Sequence, residues 1–371
     1  MSTIAPVRPA VIAFALLIAT GGFADPVPAQ FDFEEAELSG AWSANANEGT
    51  LRITRDPENV REGRGALEFS WEATEGRLAI VKVEPIAFDE RPRSLRLSVK
   101  LSEGGPVMYG VREAGGAEYQ GYLHSPGGVW HDVAVSLNEL MLSETCEGED
   151  ARLNVREIVG ITVADLSNIS GEAGKSLGIK QGRQQMWLDN VELSTRLAPS
   201  RSSRGPADEL IIDDFARPRA LDDAVIRALA IGGPRLSLTD GPGGDNPSAL
   251  RVEYHRDGYP WAGFVAAVGH LDLTERSRIC LNVRADNAAP LQVVLEERDG
   301  SKYVARHRLD PSKGWYTIKL PFEKFELDRQ TTDENDRLDL DQLRVIIPVV
   351  GVKRAETEGV GAWEVSRIWV E

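Results

Sequence analysis

The feature that most restricts the fold is a strand-like segment that occurs twice, 185 positions apart. Residues 128–140 read Gly-Val-Trp-His-Asp-Val-Ala-Val-Ser-Leu-Asn-Glu-Leu, and residues 314–325 read Gly-Trp-Tyr-Thr-Ile-Lys-Leu-Pro-Phe-Glu-Lys-Phe. In each copy a tryptophan, Trp130 or Trp315, opens an apolar alternation with a period of two. Such alternation is typical of a β-strand with one buried face. The repetition therefore predicts two versions of one β-rich unit.

The other strand candidates recur in the same order and at nearly the same spacing. Turn dipeptides lie between alternating runs, which is typical of β-hairpins. A polar segment without apolar periodicity, residues 197–207, separates the two series and is predicted to be a linker. The matched segments, at offsets of 183 to 185 positions, are 65–69 with 248–252, 93–99 with 278–283, 107–123 with 291–307 and 158–163 with 343–348.

These patterns predict an all-β chain with two tandem β-sandwich domains of the jelly-roll kind, residues 30–196 and 208–371. Each domain would hold eight or nine short strands. The 35 glycines and 20 prolines among 371 residues suit the many turns of such a fold. One short helix is predicted at Ala220–Ala230.

The charge balance limits the classes of partner. The chain has 58 acidic and 42 basic residues and a formal net charge of −16. A nucleic-acid backbone or an anionic membrane surface would be repelled by this charge. We therefore expect a soluble protein that meets neutral or cationic ligands, although solubility alone also explains the charge.

The first 24 residues are predicted to be a signal peptide. Arg8 supplies a positive charge, Val11–Ile18 is an apolar run too short to span a bilayer, and Gly22-Phe23-Ala24 offers small residues at a cleavage site. No later run is long and apolar enough to cross a membrane. The mature chain is therefore expected to be secreted or periplasmic.

Two cysteines, Cys146 and Cys280, occupy non-equivalent places in the repeat. Two cysteines in an exported chain can pair, but they do not form a disulfide framework. Cys280 lies in an alternating segment, where a cysteine more often fills a core position as a small apolar residue. Both alternatives stay open from the sequence.

Taken together, the motifs of each half resemble jelly-roll carbohydrate-binding modules, which belong to the wider galactose-binding-domain-like fold. The resemblance rests on Asp-Phe-Glu at 32–34, Gly-x-Gly-Ala-Leu at 63–67, the Trp-led strand and Leu-Asp-Asn-Val-x-Leu at 188–193. It covers nearly all of the mature chain, twice. It implies a glycan as ligand, but the fold hosts many functions.

The resemblance also implies a structural calcium ion that ties the first strand of a unit to its last. Glu34, with Asp32 beside it, and Asp189 match the expected positions in the first domain, and hard oxygen ligands suit Ca²⁺. In the second domain Ala216 and Ser366 stand at the corresponding places. We expect a calcium ion in the first domain only; alternatively, Asp189 and its neighbour Asn190 merely shape an edge strand.

Aromatic side chains are the natural candidates for contact with sugar rings, because they stack on the apolar faces of pyranoses. Tyr119 and Tyr122 are three residues apart and therefore face opposite sides of one strand. Any single ring can instead belong to the core, and Trp130, Trp187 and Trp315 are assigned to packing. The candidate ligand-binding residues are Tyr109, Tyr119, Tyr122, Tyr259, Trp261, Tyr303 and His307.

Catalysis finds little support in the sequence. There is no Gly-x-Ser-x-Gly elbow and no His-Glu-x-x-His zinc helix, and the five histidines lack ligand spacing. The acidic run Asp328–Asp341 can collect a cation but reads more readily as a solvated loop. We expect a non-catalytic protein that binds polysaccharide. The alternatives are an extracellular scaffold that binds another protein and, least supported, a polysaccharide-degrading enzyme.

Overall fold

The computed structural model describes residues 27–45, 49–125, 127–143, 146, 152–168, 180–199, 202–216, 235–244, 246–255, 260–269, 271–333, 335–355 and 359–371. The predicted signal peptide, the helix predicted at Ala220–Ala230 and Tyr259 lie outside these residues. Within them the chain consists of β-strands, turns and short 3₁₀ helices. They fall into two compact units, residues 27–199 and 202–371. The prediction of an all-β chain is confirmed.

Unit 1 is built from fourteen strands among its described residues. They are β1 (Val27–Pro28), β2 (Gln30–Phe31), β3 (Trp42–Ala44), β4 (Thr50–Thr54), β5 (Ala66–Ala73), β6 (Ala79–Val83), β7 (Ile86–Ala87), β8 (Ser94–Leu101), β9 (Gly105–Glu113), β10 (Glu118–Ser125), β11 (His131–Ser136), β12 (Met141–Leu142), β13 (Ile158–Asp165) and β14 (Gly182–Ser194). The 3₁₀ helices are Pro57–Asn59 and Leu137–Glu139.

These strands form two facing sheets. One has the order β12-β10-β9-β13-β6-β3, and the other has the order β11-β8-β14-β5-β4, with β2 also paired to β14. Strands β1 and β7 form a separate parallel pair. Apart from that pair, the ladders of unit 1 are antiparallel, as expected for a sandwich joined by hairpins and long crossovers.

Unit 2 repeats this arrangement. Its strands are β15 (Ser203–Arg204), β16 (Leu210–Asp213), β17 (Arg235–Gly243), β18 (Asn246–His255), β19 (Trp261–Gly263), β20 (Ala266–Ala267), β21 (Arg278–Ala285), β22 (Ala289–Glu297), β23 (Lys302–Leu309), β24 (Tyr316–Pro321), β25 (Glu326–Leu327), β26 (Leu343–Gly351) and β27 (Val360–Val370). The 3₁₀ helices are Pro206–Asp208, Pro311–Lys313, Phe322–Lys324 and Val352–Arg354.

One sheet of unit 2 has the order β19-β26-β22-β23-β25, with β20 also paired to β26. The other contains β15-β16-β27-β18-β17, with β21 joining β27 to β24. The orders β12-β10-β9-β13 and β11-β8-β14-β5-β4 of unit 1 recur in unit 2 as β25-β23-β22-β26 and β24-β21-β27-β18-β17. Within the predicted linker 197–207, β15 pairs with β16 and therefore belongs to the second sandwich.

Each core lies between the two sheets and follows from the period of two. In unit 1 the register joins Ile53, Leu67, Leu188 and Val99 into one inward row, and all of these except the half-buried Ile53 are almost fully buried. In unit 2, Leu295 pairs with Ile346 inside the sandwich. At about 25 cal/mol per Å² of apolar area removed from water, these rows supply most of the favourable free energy of folding.

A buried carboxylate repeats between the units. Glu113, at the end of β9, accepts a hydrogen bond from the backbone N–H of Asn154, and Glu297, at the end of β22, accepts one from Asp339. The two glutamates are 184 positions apart and each is less than a tenth exposed. Each carboxylate therefore anchors the chain that leads into the neighbouring strand, β13 or β26.

The remaining packing predictions can be placed. Trp187 is buried, whereas Trp130 and Trp315, just before β11 and β24, are half-buried. Cys146 and Cys280 are free thiols, so the disulfide alternative is not formed. Cys280 is fully buried, and burial raises the pKa of its thiol to about 12. Among the described residues, no helix has both the length and the apolar character needed to span a membrane.

Candidate functional site

Unit 1 has a sheet face turned away from its core, on strands β3, β6, β9, β10, β12 and β13, which we call outer face 1. Side chains alternate along these strands, so the neighbours of every core residue point to this face. Tyr122 pairs with Met108, and Ala164 pairs with Met108 on the other side. These residues form an apolar cluster separate from the main core, and its members are Leu78, Ile80, Met108, Tyr122, Ala164 and Leu166.

Polar side chains lie beside this cluster on the same face. Gln120 and Thr162 flank Gly110 in one row across the sheet, and Lys82 is the next partner of Thr162. Gln120 and Thr162 are 6% and 8% exposed, so they form the floor of the face. Because Gly110 has no side chain, this floor is lowest between them.

A charged row borders the polar one. Arg112 pairs with Gly160 on β13, and Glu84 lies on the far side of that glycine, 3.2 Å from where a Gly160 Cβ would stand. Arg112 Nε and Nη2 lie 2.9 and 2.7 Å from Glu84 Oε2. Lys82 Nζ donates to Glu84 Oε1 at 3.1 Å. One half-buried carboxylate is thus shared by two cations.

Two carboxyl groups of this row have pKa values shifted in opposite directions. Burial acts to raise the pKa of Glu84, but the hydrogen bonds from Arg112 and Lys82 outweigh it, and the pKa is lowered. Glu118, opposite Arg112 on β10, has its pKa raised by burial, against the attraction of Arg112 and Lys82. Outer face 1 therefore combines one half-exposed tyrosine, an apolar patch and a fixed set of hydrogen-bonding groups.

The structure separates the predicted aromatic residues of unit 1. Tyr109 and Tyr119 lie in the hydrophobic core, 7% and 1% exposed, and the Tyr109 ring packs against Gly121. Tyr122 alone of the three lies on outer face 1 and reaches solvent. The sequence analysis did not select Lys82, Glu84, Arg112, Gln120 or Thr162. The period of two predicts that their side chains point away from the core, but it does not show which of the two sheets carries them.

The equivalent surface of unit 2, outer face 2, lies on β19, β22, β23, β25 and β26. Trp261 is half-exposed, and its Cζ3 lies 3.3 Å from where a Gly351 Cβ would stand, with Pro290 Cγ 3.2 Å from the same point. The indole therefore lies against a glycine and a proline. Arg306 and Arg308 project from β23 on the same face, since Tyr303, Ala305 and Leu309, which have the opposite parity on this strand, are in the core.

The other predicted residues of unit 2 do not join Trp261. Tyr303 is 2% exposed and its hydroxyl donates to Asp333. His307 has the inward parity of β23, with its ring centroid 6.3 Å from that of Tyr316, and burial together with Lys313 lowers its pKa. Tyr259 lies outside the described residues. A ligand-binding role stays a prediction for each, and only Trp261 combines outer face 2 with exposure to solvent.

The predicted calcium ligands, Glu34 and Asp189, lie in unit 1 near enough for the charge of Glu34 to act on Asp189. Burial is the main cause that raises the pKa of Asp189, and Glu34 adds to it. Asp189 accepts hydrogen bonds from the backbone N–H groups of Arg61, Glu62 and Asn190 at 2.8 to 3.1 Å. Glu34 is bonded by the backbone and side chain of Arg64. N–H donors thus engage both carboxylates.

Elsewhere, three acidic groups, Glu297, Asp299 and Asp333, lie close enough together that they can hold a metal ion. Burial raises the pKa of Glu297, and the charges of Asp333 and Asp299 add to this shift. The cluster lies in unit 2, and Asp333 belongs to the acidic run 328–341. The sequence analysis noted that run but not Glu297, whose burial follows from its place at the end of β22.

A polar concavity of about 420 Å³ lies on the opposite sheet of unit 1. Two ion pairs line it: Arg61 holds Asp132 at 2.8 Å, and Arg196 holds Glu192 at 2.8 Å. Ser98 also donates to Asp132. The concavity is also lined by Phe31, Asp32, Glu62 and Arg96.

No family model matches this chain, and no curated protein matches it. Solved structures of carbohydrate-binding modules and of two agarases are similar to it. A family 11 carbohydrate-binding module from Clostridium thermocellum, in complex with a β-1,3-1,4-mixed-linked tetrasaccharide, aligns with 47% of this chain and 100% of its own, at 11% identity and a TM-score of 0.34.

The N-terminal CBM22-1-CBM22-2 tandem domain from Paenibacillus barcinonensis Xyn10C aligns with 95% of this chain and 99% of its own, at 12% identity and a TM-score of 0.30. An exo-β-agarase aligns with 46% of this chain and 25% of its own, at 14% identity and a TM-score of 0.32.

Proposed function

We propose that this chain is an exported, non-catalytic protein that binds polysaccharide through the outer faces of its sandwiches. The observation that carries the proposal is outer face 1. There Tyr122 and an apolar cluster stand beside the Arg112–Glu84–Lys82 network on one continuous sheet surface. A sugar ring has the matching chemistry, with C–H faces that stack on an aromatic ring and hydroxyls that bond fixed polar groups.

Hydrolysis is the alternative to binding as the role of the charged row. Glycoside hydrolysis needs a carboxyl that gives up a proton and a second carboxylate placed across the bond that is cut. In outer face 1 the pKa of Glu84 is lowered and that of Glu118 is raised, so Glu118 would have to be the proton donor. Release of reducing ends by the purified protein would contradict a non-catalytic role.

The test is retention of the purified protein in gels that contain single polysaccharides. Tyr122→Ala should weaken binding to the retained glycan about tenfold, or about 1.4 kcal/mol, whereas Tyr122→Phe keeps the ring and most of the affinity. Arg183→Gln, an exposed position on the other sheet of unit 1, is the control. Absence of retention on every polysaccharide, with capture of one stoichiometric protein partner, would favour the scaffold alternative.

A structural calcium ion between Glu34 and Asp189 is a separate proposal. It is supported by two neighbouring carboxylates, one of them fully buried, whose mutual repulsion a divalent cation would relieve. The Arg64 side chain that engages Glu34 is 82% exposed, and such a surface pair costs little to break. Bound calcium would fix the loop 61–64 to the closing strand β14.

A further inference from the structure

Outer face 2 is cationic, although the chain as a whole is acidic. Its outward-facing basic groups outnumber its acidic ones by four to two, whereas the chain carries a net charge of −16. The four are Lys302, Arg306, Arg308 and Arg344, and the two are Glu296 and Glu326. A binding surface with this local excess of positive charge would attract a ligand that carries negative charge.

The charges of this face divide into an inner and an outer group. Lys302 and Arg344 both contact Glu296, which is 9% exposed, so these three groups satisfy one another within the sheet surface. Arg306 is 59% exposed and lies 3.9 Å from Glu326, which is itself 82% exposed. At that exposure and distance the pairing contributes little, so the Arg306 guanidinium can turn to a ligand.

Arg306 and Arg308 are neighbours on outer face 2. A row of outward-facing residues runs across the sheet from Arg308 to Trp261. Two residues apart on one strand, their Cα atoms are about 7 Å from each other. Arg308 pairs with Pro290, whose ring adjoins Gly351 and the indole of Trp261. From β23 to β19 this row crosses three strand spacings, about 14 Å. It provides an aromatic ring at one end and guanidinium groups at the other.

The equivalent positions of unit 1 lack this arrangement. At an offset of 184 positions, Tyr122 stands where Arg306 stands, and Leu78, not an aromatic residue, precedes the strand that corresponds to β19. The exposed ring thus lies at the β10 end of outer face 1 and at the β19 end of outer face 2. Identical ligands would not satisfy both.

We propose that outer face 2 binds an anionic polysaccharide, one whose sugar rings carry carboxylate or sulfate groups. The proposal deepens the glycan-binding function and rests on it. Trp261 stacks on a sugar ring, and Arg306 and Arg308 bind the acid groups of rings further along the chain. Arginine suits this role because its planar fork of N–H donors binds carboxylate or sulfate oxygens in pairs.

The negative net charge of the chain opposes non-specific binding to a polyanion. A polyanion is repelled by the protein at long range, but this repulsion is screened beyond about 8 Å at physiological ionic strength. Retention on a polyanion therefore has to come from a local cationic surface. Such retention should decrease as salt is raised from about 0.05 to about 0.5 M, whereas stacking on a neutral glycan changes little.

The experiment compares two matched pairs of polymers in affinity gels: polygalacturonate with methyl-esterified pectin, and dextran sulfate with dextran. The full-length chain should be retarded by at least one polyanion and not by its neutral counterpart, and the pair that responds identifies carboxylate or sulfate. The double variant Arg306→Gln/Arg308→Gln and Trp261→Ala should each reduce that retardation at least about tenfold. Arg235→Gln, 85% exposed on the opposite sheet of unit 2, should leave it unchanged.

The outcomes separate this proposal from the general function. Equal retention of the wild type and the double arginine variant on polyanions, or equal retention on charged and neutral partners, overturns the anionic ligand of outer face 2. If Tyr122→Ala still weakens binding to a neutral glycan, the proposed function stands without the anionic ligand. All the substituted side chains reach solvent, so we expect the unfolding temperatures to be unchanged. Measuring them shows that the variants are folded.

Discussion

Asp189 and Ser366 stand at the same place in their units, beside a bulge in the closing strand, but their surroundings are opposite. Asp189 accepts three backbone hydrogen bonds, whereas Ser366 Oγ is fully buried and has no hydrogen-bond partner among the described residues. The difference comes from the connection that leads into the neighbouring strand of the sheet, β5 in unit 1 and β18 in unit 2. Residues 55–65 join β4 to β5, but only residues 244–245 join β17 to β18.

This contrast predicts opposite effects of one substitution. Ser366→Ala removes a buried hydroxyl that bonds nothing and should raise the free energy of unfolding by about 1 kcal/mol. Asp189→Ala leaves three part-buried N–H groups without acceptors and should lower it by about 3 kcal/mol. Chemical denaturation of both variants measures the difference. A loss of stability in Ser366→Ala comparable to that in Asp189→Ala would show that the serine has a partner.

Calcium binding at Glu34 and Asp189 has a thermodynamic signature. If the ion binds, an excess of Ca²⁺ over EDTA should raise the unfolding temperature of unit 1, because a ligand of the folded state alone stabilises it by mass action. Glu34→Gln should abolish the calcium response. The same comparison with Glu297→Gln examines the acidic cluster of unit 2. A response retained in Glu34→Gln and lost in Glu297→Gln would move the metal site to that cluster.

Truncation of the tyrosines should separate packing from binding. Tyr119 and Tyr303, 184 positions apart, are both nearly fully buried, so replacement of either by alanine should cost about 3 to 5 kcal/mol of stability. Tyr122→Ala, on outer face 1, should change stability by much less while reducing glycan retention. Thermal unfolding and affinity gels on the same three variants decide this. A Tyr122→Ala protein as unstable as Tyr119→Ala would place that ring in the core.

The charged row of outer face 1 predicts a defined pH dependence. Because the pKa of Glu84 is lowered in the folded state, its carboxylate stabilises the protein above the ordinary value of 4.5, and this contribution is lost as the pH falls below it. Glu84→Gln should therefore be less stable than the wild type by about 2 kcal/mol at neutral pH, and the two should converge at lower pH.

Glu118→Gln provides the opposite sign. Burial raises the pKa of Glu118, so its ionised form opposes folding above the ordinary value of 4.5, and this penalty disappears at lower pH. The glutamine variant should be at least as stable as the wild type at neutral pH, and its advantage should vanish in acid. Denaturation of both variants across this range measures the effect. Parallel curves for Glu84→Gln and Glu118→Gln would contradict the charge network.

The fold could be predicted because the apolar residues of its strands alternate with a period of two. Alternation and turn dipeptides place residues on alternate faces of a strand, and they are local properties. The opposition of Tyr119 and Tyr122 was predicted in this way, but not which of them faces the core. That choice depends on which strand lies alongside and which sheet lies beneath, and both are long-range.

The candidate site was only partly predictable for the same reason. Arg112 and Glu84 are 28 positions apart, and they meet because Gly160, from a third segment, leaves the space between them open. Neither the pairing of β9 with β13 nor that of β13 with β6 is marked by any local motif. The difference between Asp189 and Ser366 is visible in the sequence, but its cause, the short connection at residues 244–245, becomes apparent only when the strands are placed.

Alternation along β10 and β23 has a practical consequence for engineering. The outward residues 118, 120 and 122 correspond to 302, 304 and 306, while the inward neighbours Tyr119 and Tyr303 are the same in both units. Part of the difference between the two outer faces is therefore encoded on alternate codons of one strand per unit. Exchanging those codons between the halves would alter each face and leave the inward tyrosines in place.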